Sequence, residues 1–326
     1  MRVLVADSLD LDAIRALEAV GHVCVVEADA TADTLPGLVP GHDALVVRST
    51  RVTAESIAAA DALRLVVRAG AGTNTIDIAA ATAKGVHVAN VPGRNALAVA
   101  ELALGLMLAV DRQIPDNVIA LRAGQWDKKT FSKSGRGLYG STLGIVGLGS
   151  IGLAVAQRAR AFGMHLRALH RPTRSADAAA RATDLGIELL GSLPELAAGV
   201  DVLTLHIPAG ADTSGVVDAE VLAALPDGAT LVNTSRGDVV DEEALLAALD
   251  ASRLWAGLDV YQDEPSSGRT AWTSRLAAHP RVVGTHHIGA STQQAQRAVA
   301  EGVVEVIGAY VDGILLNVVN PGAGAS

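Results

Sequence analysis

Short apolar runs alternate with longer segments of helical periodicity along almost the whole chain. In the first 90 residues the strand-like runs lie at residues 3–6, 23–27, 44–48, 65–68 and 86–89. A second series lies at residues 142–146, 164–169, 187–190, 202–207, 230–233, 255–260 and 282–285. Parallel strands need a crossover connection, which is usually a helix. The pattern therefore predicts two α/β blocks, each built on an open parallel sheet.

Two helices stand out beside these blocks. The apolar segment 96–110 contains Glu101 and is shorter than the roughly 20 residues of a membrane span, so it predicts a helix buried between domains or subunits. Near the C-terminus, Ser291 with Gln294 forms a capping box that predicts a helix start. The stretch LLNVVNP at residues 315–321 then predicts a closing strand and tail.

A glycine turn follows the strand at residues 142–146. Gly147, Gly149 and Gly152 have the spacing G-x-G-x-x-G, and an Ala-rich helical segment follows at once. In this unit the first glycine makes a tight turn, the second admits a pyrophosphate, and the third lets helix pack on strand. The turn therefore predicts a dinucleotide site. The alternative is a glycine turn that binds nothing, since a chain with 33 glycines produces spaced glycines by chance.

Composition narrows the class of protein. A chain of 326 residues, half of them hydrophobic, predicts two globular domains. The formal charge of −9 provides no basic surface for nucleic acid. The single cysteine, Cys24, excludes an intramolecular disulfide and a cysteine cluster for metal, and we expect it in the core. No metal site is predicted. The N-terminus begins directly with a strand pattern, which favours a cytoplasmic protein without a membrane segment.

Three polar stretches follow predicted strands, at residues 233–237, 259–265 and 285–290. They supply Arg236, Glu264 and two adjacent histidines, His286 and His287. Hydride transfer on a 2-hydroxy acid needs a cation for the carboxylate and a proton donor and acceptor for the oxygen. Each residue also has a structural alternative: a turn arginine, a loop-capping glutamate or a core histidine. Their joint occurrence after a dinucleotide turn favours catalysis.

The chain resembles the D-2-hydroxyacid dehydrogenases over almost its whole length, and is most similar to the D-3-phosphoglycerate dehydrogenase branch. The matching stretches are VVRSTRVT (46–53), RAGAGTNTID (68–77), NVPGRNALAVAEL (90–102), GIVGLGSIG (144–152), LHIP (205–208), NTSRGDVVDEEAL (233–245), GLDVYQDEP (257–265) and HHIGAST (286–292).

The resemblance implies two Rossmann-like doubly wound parallel-sheet domains with an active-site cleft between them. The substrate domain would be discontinuous, residues 1–95 plus 288–326, and the dinucleotide-binding domain would be residues 96–287. It further implies a homodimer held largely through the dinucleotide-binding domains.

The resemblance also implies roles for individual residues. Arg236 would bind the substrate carboxylate and carbonyl, Glu264 would orient the histidine, and His287 would be the acid/base. The implied substrate contacts are Arg48, Ala69, Gly70, Ala71 and Gly72. The implied cofactor contacts are Gly147, Leu148, Gly149, Ser150, Ile151, Gly152, His170, Arg171, His206, Pro208, Thr213, Ser235, Asp259 and Gly289.

Two departures from the family pattern bear on the chemistry. The family usually reads T-P-H where this chain has Thr285-His286-His287, so a second imidazole adjoins the acid/base. Where members that use NAD carry an Asp for the ribose, this chain has His170 and Arg171, with Arg174 close behind. Arg171 would pair with a 2′-phosphate, which favours NADP. The alternative is that Arg171 points to solvent and NAD is used.

The interpretation is an NAD(P)-dependent oxidoreductase acting on a small 2-hydroxy or 2-oxo acid. Oxidation of 3-phosphoglycerate is favoured by Arg48 and Arg68, which would help to hold a phosphate. Reduction of glyoxylate or hydroxypyruvate with NADPH is the alternative. Since the chain ends soon after Pro321, we expect no serine-sensing regulatory domain. An alternative of another class is a dinucleotide-sensing co-repressor-like binding protein, against which the lack of appended tails argues.

Overall fold

The computed structural model describes residues 1–133, 135–265 and 269–323. The chain divides into two compact units, unit 1 comprising Met1–Asn95 and Ser291–Ser326 and unit 2 comprising Ala96–Ala290. The sequence placed the second boundary three residues earlier, after His287. The boundary lies after Ala290 because the backbone N–H groups of residues 287–289 bond to Asp259 in unit 2.

Unit 1 contains a parallel sheet in the order β2-β1-β3-β4-β5. Alternate residues of its strands enter core clusters on opposite faces; Leu45 and Val47 lie on one side, Ala44 and Val46 on the other. Helices therefore cover both faces of the sheet. The strands are β1 Arg2–Val5, β2 Val23–Val26, β3 Ala44–Val47, β4 Leu65–Arg68 and β5 His87–Asn90. The helices are α1 Leu11–Ala19, α2 Leu35–Leu38, α3 Ala54–Ala59, α4 Ile78–Ala83 and, after unit 2, α13 Gln293–Val311.

Unit 2 contains a larger parallel sheet in the order β12-β11-β10-β9-β6-β7-β8. The direction of winding reverses between β6 and β9, and such a switch point is where open α/β sheets bind ligands. The strands are β6 Thr142–Val146, β7 His165–Leu169, β8 Glu188–Leu190, β9 Val202–Leu205, β10 Thr230–Asn233, β11 Trp255–Leu258 and β12 Val282–Gly284. The prediction of two doubly wound parallel-sheet domains is confirmed.

The helices of unit 2 begin with the apolar segment that precedes the glycine turn. This helix packs against the helix after the turn and against β10–β12, so its apolar character serves the core of unit 2. The helices are α5 Ala96–Asp111, α6 Ile114–Arg122, α7 Lys128–Phe131, α8 Ser150–Ala161, α9 Ala176–Asp184, α10 Leu193–Ala198, α11 Ala219–Ala224 and α12 Glu242–Asp250, with a short 3₁₀ helix at Gly237–Val239. Among the described residues, no helix combines the length and the apolar character that crossing a bilayer requires.

Two predictions near the C-terminus are wrong. The N-cap of α13 is Thr292, whose hydroxyl accepts from the N–H of Ala295, so the cap lies one residue after Ser291. The predicted strand at 315–321 makes only a single antiparallel bridge, Val318 to Ala89. It does not continue because Asn317 adopts a left-handed φ of 55°, which interrupts extended pairing.

Cys24 packs against a core cluster of unit 1, as expected, but it is not fully buried. The residue lies on β2, an edge strand of the sheet. Partial burial raises the pKa of its thiol, mainly because the charged thiolate is desolvated.

Candidate active site

The glycine turn joins β6 to α8, and each glycine meets a different environment. A Cβ on Gly147, whose φ is 101°, would lie 2.4 Å from the carbonyl oxygen of His206. A Cβ on Gly152 would lie 1.9 Å from the carbonyl oxygen of Gly147, whereas a Cβ on Gly149 would meet nothing within 4 Å. The first and third glycines are therefore required by close packing, and the second leaves open space above the helix N-terminus. This arrangement fits a bound pyrophosphate.

A pocket of about 480 Å³ opens beside this turn. This volume is within the range of small-molecule sites. The pocket brings together seven of the predicted cofactor contacts, Gly147, Leu148, Gly149, Ser150, Arg171, His206 and Pro208. The other predicted contacts do not line it among the described residues: Ile151, Gly152, His170, Thr213, Ser235, Asp259 and Gly289.

His206 follows β9 at the switch point of the sheet. One ring nitrogen, Nε2, lies 2.9 Å from the hydroxyl of buried Thr204, and Nδ1 is buried without a hydrogen-bond partner in the described part of the chain. Desolvation lowers the pKa of His206 to about 3, so the ring is neutral near pH 7. Nearby, the hydroxyl of Thr213 donates to the carbonyl of Pro208 at 2.7 Å and holds the loop after β9. Thr213 therefore holds Pro208, which lines the pocket, without lining the pocket itself.

Among the described residues of unit 2, His287 and Glu264 form the closest pair of titratable side chains. Nδ1 of His287 lies 2.5 Å from Oε1 of Glu264. Because a carboxylate only accepts, Nδ1 carries the proton of this bond, and Nε2 has no partner among the described residues. His287 has a left-handed φ of 51°, uncommon for a residue other than glycine. Its backbone is thus held in a conformation that the surrounding loop must stabilise.

Asp259 stabilises that loop. It is 1% exposed, and its carboxylate accepts from the hydroxyl of Thr285 at 2.6 Å and from the N–H groups of Ile288 and Gly289 at 2.8 Å each. Its backbone carbonyl accepts from the N–H of His287 at 2.8 Å. Four hydrogen bonds therefore connect Asp259, which follows β11, to the loop that follows β12. The sequence analysis assigned Asp259 to cofactor binding; its carboxylate instead makes hydrogen bonds within the protein.

The loop that carries Arg236 follows β10 and is organised by a buried asparagine. The side-chain oxygen of Asn233 accepts from the N–H and hydroxyl of Ser235, and its amide donates to the carbonyl of Arg236 at 2.8 Å. A Cβ on Gly237 would lie 2.1 Å from the carbonyl carbon of Tyr261, so only glycine lets this loop pack on the loop of Glu264. Arg236 is partly buried, and its Nη1 donates to the carbonyl of Ser235.

The three catalytic candidates therefore follow three adjacent strands, in the order β12-β11-β10. Carboxyl ends of neighbouring parallel strands lie at one edge of a sheet, which places Arg236, Glu264 and His287 on loops at the same edge. His286 is exposed and has no hydrogen-bond or ion-pair partner within the described ranges. Of the two histidines, the structure pairs His287 with a carboxylate.

The substrate candidates lie in unit 1, also after strand ends. The N–H groups of Arg48 and Ser49 donate to Asp7. Ala69 is buried and Gly70 has a φ of 142°. The amide of Asn90 donates to the carbonyl of Ala71 at 2.6 Å. The segment from Ala69 to Gly72 is thus a fixed turn at the carboxyl end of β4.

The sequence did not reveal the organising roles of Asn233 and Thr285. A local signal existed for the first, because an asparagine two residues before a serine favours a side-chain turn. No local signal existed for Thr285, whose partner Asp259 is 26 residues away.

The chain is similar to proteins that are named as dehydrogenases or reductases. It is 40% identical to D-3-phosphoglycerate dehydrogenase of Methanocaldococcus jannaschii over 98% of this chain, and it spans 59% of that protein. It is 41% identical to hydroxypyruvate reductase of Thermotoga maritima over 94% of this chain and 97% of that protein. Among solved structures, an acyclic imino acid reductase in complex with NADPH matches with a TM-score of 0.84 at 25% identity, covering 98% of this chain and 100% of that one.

One family profile matches more than half of the chain. Its description is D-isomer specific 2-hydroxyacid dehydrogenase, NAD binding domain, and the match covers residues 104–289, all within unit 2. The chain therefore belongs to the D-isomer specific 2-hydroxyacid dehydrogenases, and its second unit carries their nicotinamide dinucleotide-binding domain.

Proposed function

We propose that this protein is a dehydrogenase that moves a hydride between a nicotinamide cofactor and a small 2-hydroxy or 2-oxo acid, with His287 as the acid/base. The observation that carries the proposal is the 2.5 Å contact between Nδ1 of His287 and Glu264, which leaves Nε2 to exchange a proton. Family membership supports the reaction class.

The residues divide the work as follows. In oxidation, Nε2 of His287 takes the hydroxyl proton, and in reduction it returns that proton to the carbonyl oxygen. Glu264 orients the imidazole and stabilises its protonated form. Arg236 binds the substrate carboxylate through its planar fork of donors. When bound, the nicotinamide accepts or supplies the hydride at the substrate carbon.

For the substrate, we propose a 3-phosphoglycerate-like acid. Relatives named D-3-phosphoglycerate dehydrogenase support this choice, and Arg48 and Arg68 supply cations in unit 1. The second candidate is reduction of hydroxypyruvate or glyoxylate. It is supported by the hydroxypyruvate reductase relative, of which this chain spans 97%. Binding by the segment from Ala69 to Gly72 is part of the proposal in both cases.

For the cofactor, we propose NADP(H) in preference to NAD(H). Arg171 lines the same pocket as the glycine turn, at the position where a carboxylate would accept from the ribose 2′-hydroxyl. The NADPH in the related imino acid reductase supports the choice. His170 is not part of this argument, since it does not line the pocket.

For the assembly, we propose a homodimer formed through unit 2. Helix α6 and the segment that follows it expose large apolar side chains. Large exposed apolar patches mark interaction sites. The exposed residues are Ile114, Val118, Ile119, Leu121 and Trp126. Ile119→Lys should give a monomer by light scattering; an unchanged mass would contradict this interface.

The test of function is a panel of four acids with both cofactors. We expect turnover of 3-phosphoglycerate or hydroxypyruvate, faster with NADP(H), and a loss of turnover in His287→Ala. Glyoxylate and D-lactate complete the panel. Failure of all four acids with both cofactors would contradict the proposal and favour a dinucleotide-sensing binding protein.

A further inference from the structure

Helix α9 presents one face to the cofactor pocket. Residues 177, 178 and 181 of this helix line the pocket, and the spacings of four and three residues from 181 place them on one helix face. Arg174, which precedes the N-cap Ser175, lines the pocket beside them. Arg181 is therefore brought to the pocket that contains the glycine turn, although it lies ten residues beyond Arg171 in sequence. Nothing in the G-x-G-x-x-G pattern indicates a residue at this distance.

The arginines near this face differ in what they bind. Nη2 of Arg174 donates to the carbonyl of Leu169 at 2.7 Å and fixes the turn that follows β7. Arg160 likewise donates to the carbonyl of Asp184. Arg171 and Arg181 are exposed, and no ion pair or side-chain hydrogen bond engages either of them within the described part of the chain. Two available guanidinium groups therefore face one pocket.

The charges of the pocket fit a phosphate better than a hydroxyl. Three arginines, Arg171, Arg174 and Arg181, line it with a single carboxylate, Asp177. Like charges sharing a pocket repel one another, and an anion relieves that repulsion. A phosphate monoester carries about −1.5 to −2 charge at pH 7 and offers three acceptor oxygens, which suits two guanidinium forks.

We propose that Arg181 is a second ligand of the 2′-phosphate of NADP(H), beside Arg171, and that Arg174 is a positioning residue for the turn between them. Asp177, four residues before Arg181 on the same face, opposes the phosphate and limits its affinity. This inference rests on the proposed preference for NADP(H). It adds two residues, one favourable and one unfavourable, that determine the strength of that preference.

The test uses two nucleotides that differ in the 2′-phosphate. Calorimetry at one ionic strength would measure binding of 2′,5′-ADP and of 5′-ADP. Arg181→Gln should weaken 2′,5′-ADP about tenfold or more, as expected for one charge-assisted hydrogen bond, and change 5′-ADP less than about twofold. Asp177→Asn should strengthen 2′,5′-ADP alone. The matched control is Arg122→Gln on α6, an exposed arginine outside the pocket, which should change neither affinity.

The outcomes separate this inference from the proposed function. If Arg171→Gln weakens 2′,5′-ADP and Arg181→Gln does not, the inference is overturned while the preference for NADP(H) stands. If the wild-type protein binds 5′-ADP as tightly as 2′,5′-ADP, both the inference and the cofactor preference fail. Turnover measured with saturating NADH reports the dehydrogenase activity independently of either result.

Discussion

Nδ1 of His287 lies 2.5 Å from Oε1 of Glu264, and the two residues follow neighbouring strands, β12 and β11. The contact orients the imidazole and leaves Nε2 without a partner among the described residues, and Nε2 is the nitrogen that we propose exchanges a proton. It also distinguishes His287 from His286, which makes no such contact.

His287→Ala should lower kcat by about 10²-fold or more, because general acid–base catalysis is usually worth 10²–10⁴. Cofactor affinity should stay near that of the wild type. Steady-state kinetics with a separate binding titration measures both quantities. His286→Ala is the matched control and should change kcat less than about threefold. An exchange of these two results would move the acid/base to His286.

Glu264→Gln keeps the shape of the side chain and removes its charge. Since an ionised acceptor makes a stronger hydrogen bond than a neutral one, the variant should hold the imidazole less firmly and lower kcat by about tenfold, with a smaller change in KM. Asp263→Asn, the adjacent carboxylate, is the control and should leave both constants in place. An unchanged kcat in Glu264→Gln would show that this contact does not govern the proton transfer.

The sequence predicted the sheets better than the loops that follow them. Alternating apolar runs fix which segments are strands, because buried parallel strands are apolar on both faces. Three strands of unit 2, β9, β11 and β12, end earlier than their apolar runs; β9 stops at Leu205, before His206 turns towards Thr204. Local pattern carries no information about such tertiary contacts.

In the candidate site, too, the residues set by local sequence were predictable and those set by tertiary contacts were not. The glycine spacing predicted the turn that lines the pocket, because Gly147 and Gly152 are required by close packing and Gly149 leaves the space above the helix N-terminus open. The role of Asp259 was not predictable, since its partners lie 26 to 30 residues away in sequence and meet only in the folded sheet. Arg181 was not predictable either, because its place in the pocket depends on which face of α9 packs towards the glycine turn.

Thr285→Val should show whether the Asp259 network positions His287. The substitution keeps the shape and removes one of three hydrogen bonds to a buried carboxylate, a loss of about 1.5–3 kcal/mol. We expect a lower midpoint in urea unfolding and a fall in kcat larger than any change in KM. Thr285→Ser restores the hydroxyl and should recover both. A stability loss without a change in kcat would mean that the bond serves the fold alone.

Arg171→Asp should reverse the order of cofactor affinities. In the proposed complex with NADPH, a charge-assisted contact from Arg171 to the 2′-phosphate would contribute about 1.5–3 kcal/mol, or roughly one to two orders of magnitude in affinity. The new carboxylate would repel the phosphate and accept from the ribose hydroxyl of NAD. Dissociation constants for NADPH and NADH at one ionic strength measure the change. A wild-type preference for NADH would contradict the proposal.

Substitutions at Gly149 and Gly152 should separate an effect on nucleotide binding from an effect on stability. A Cβ on Gly152 would lie 1.9 Å from a backbone oxygen, so Gly152→Ala should destabilise the protein by at least about 1–3 kcal/mol without any ligand. A Cβ on Gly149 would meet no protein atom within 4 Å, so Gly149→Ala should cost the ligand-free protein less than about 1 kcal/mol, as a weaker N-cap. The same Cβ would enter the space proposed for the pyrophosphate, and it should weaken 5′-ADP and both dinucleotides together by about tenfold or more. Urea unfolding of the ligand-free variants and calorimetric titration of Gly149→Ala test the pair. If Gly149→Ala bound these nucleotides with wild-type affinity, the pyrophosphate would not bind at this turn.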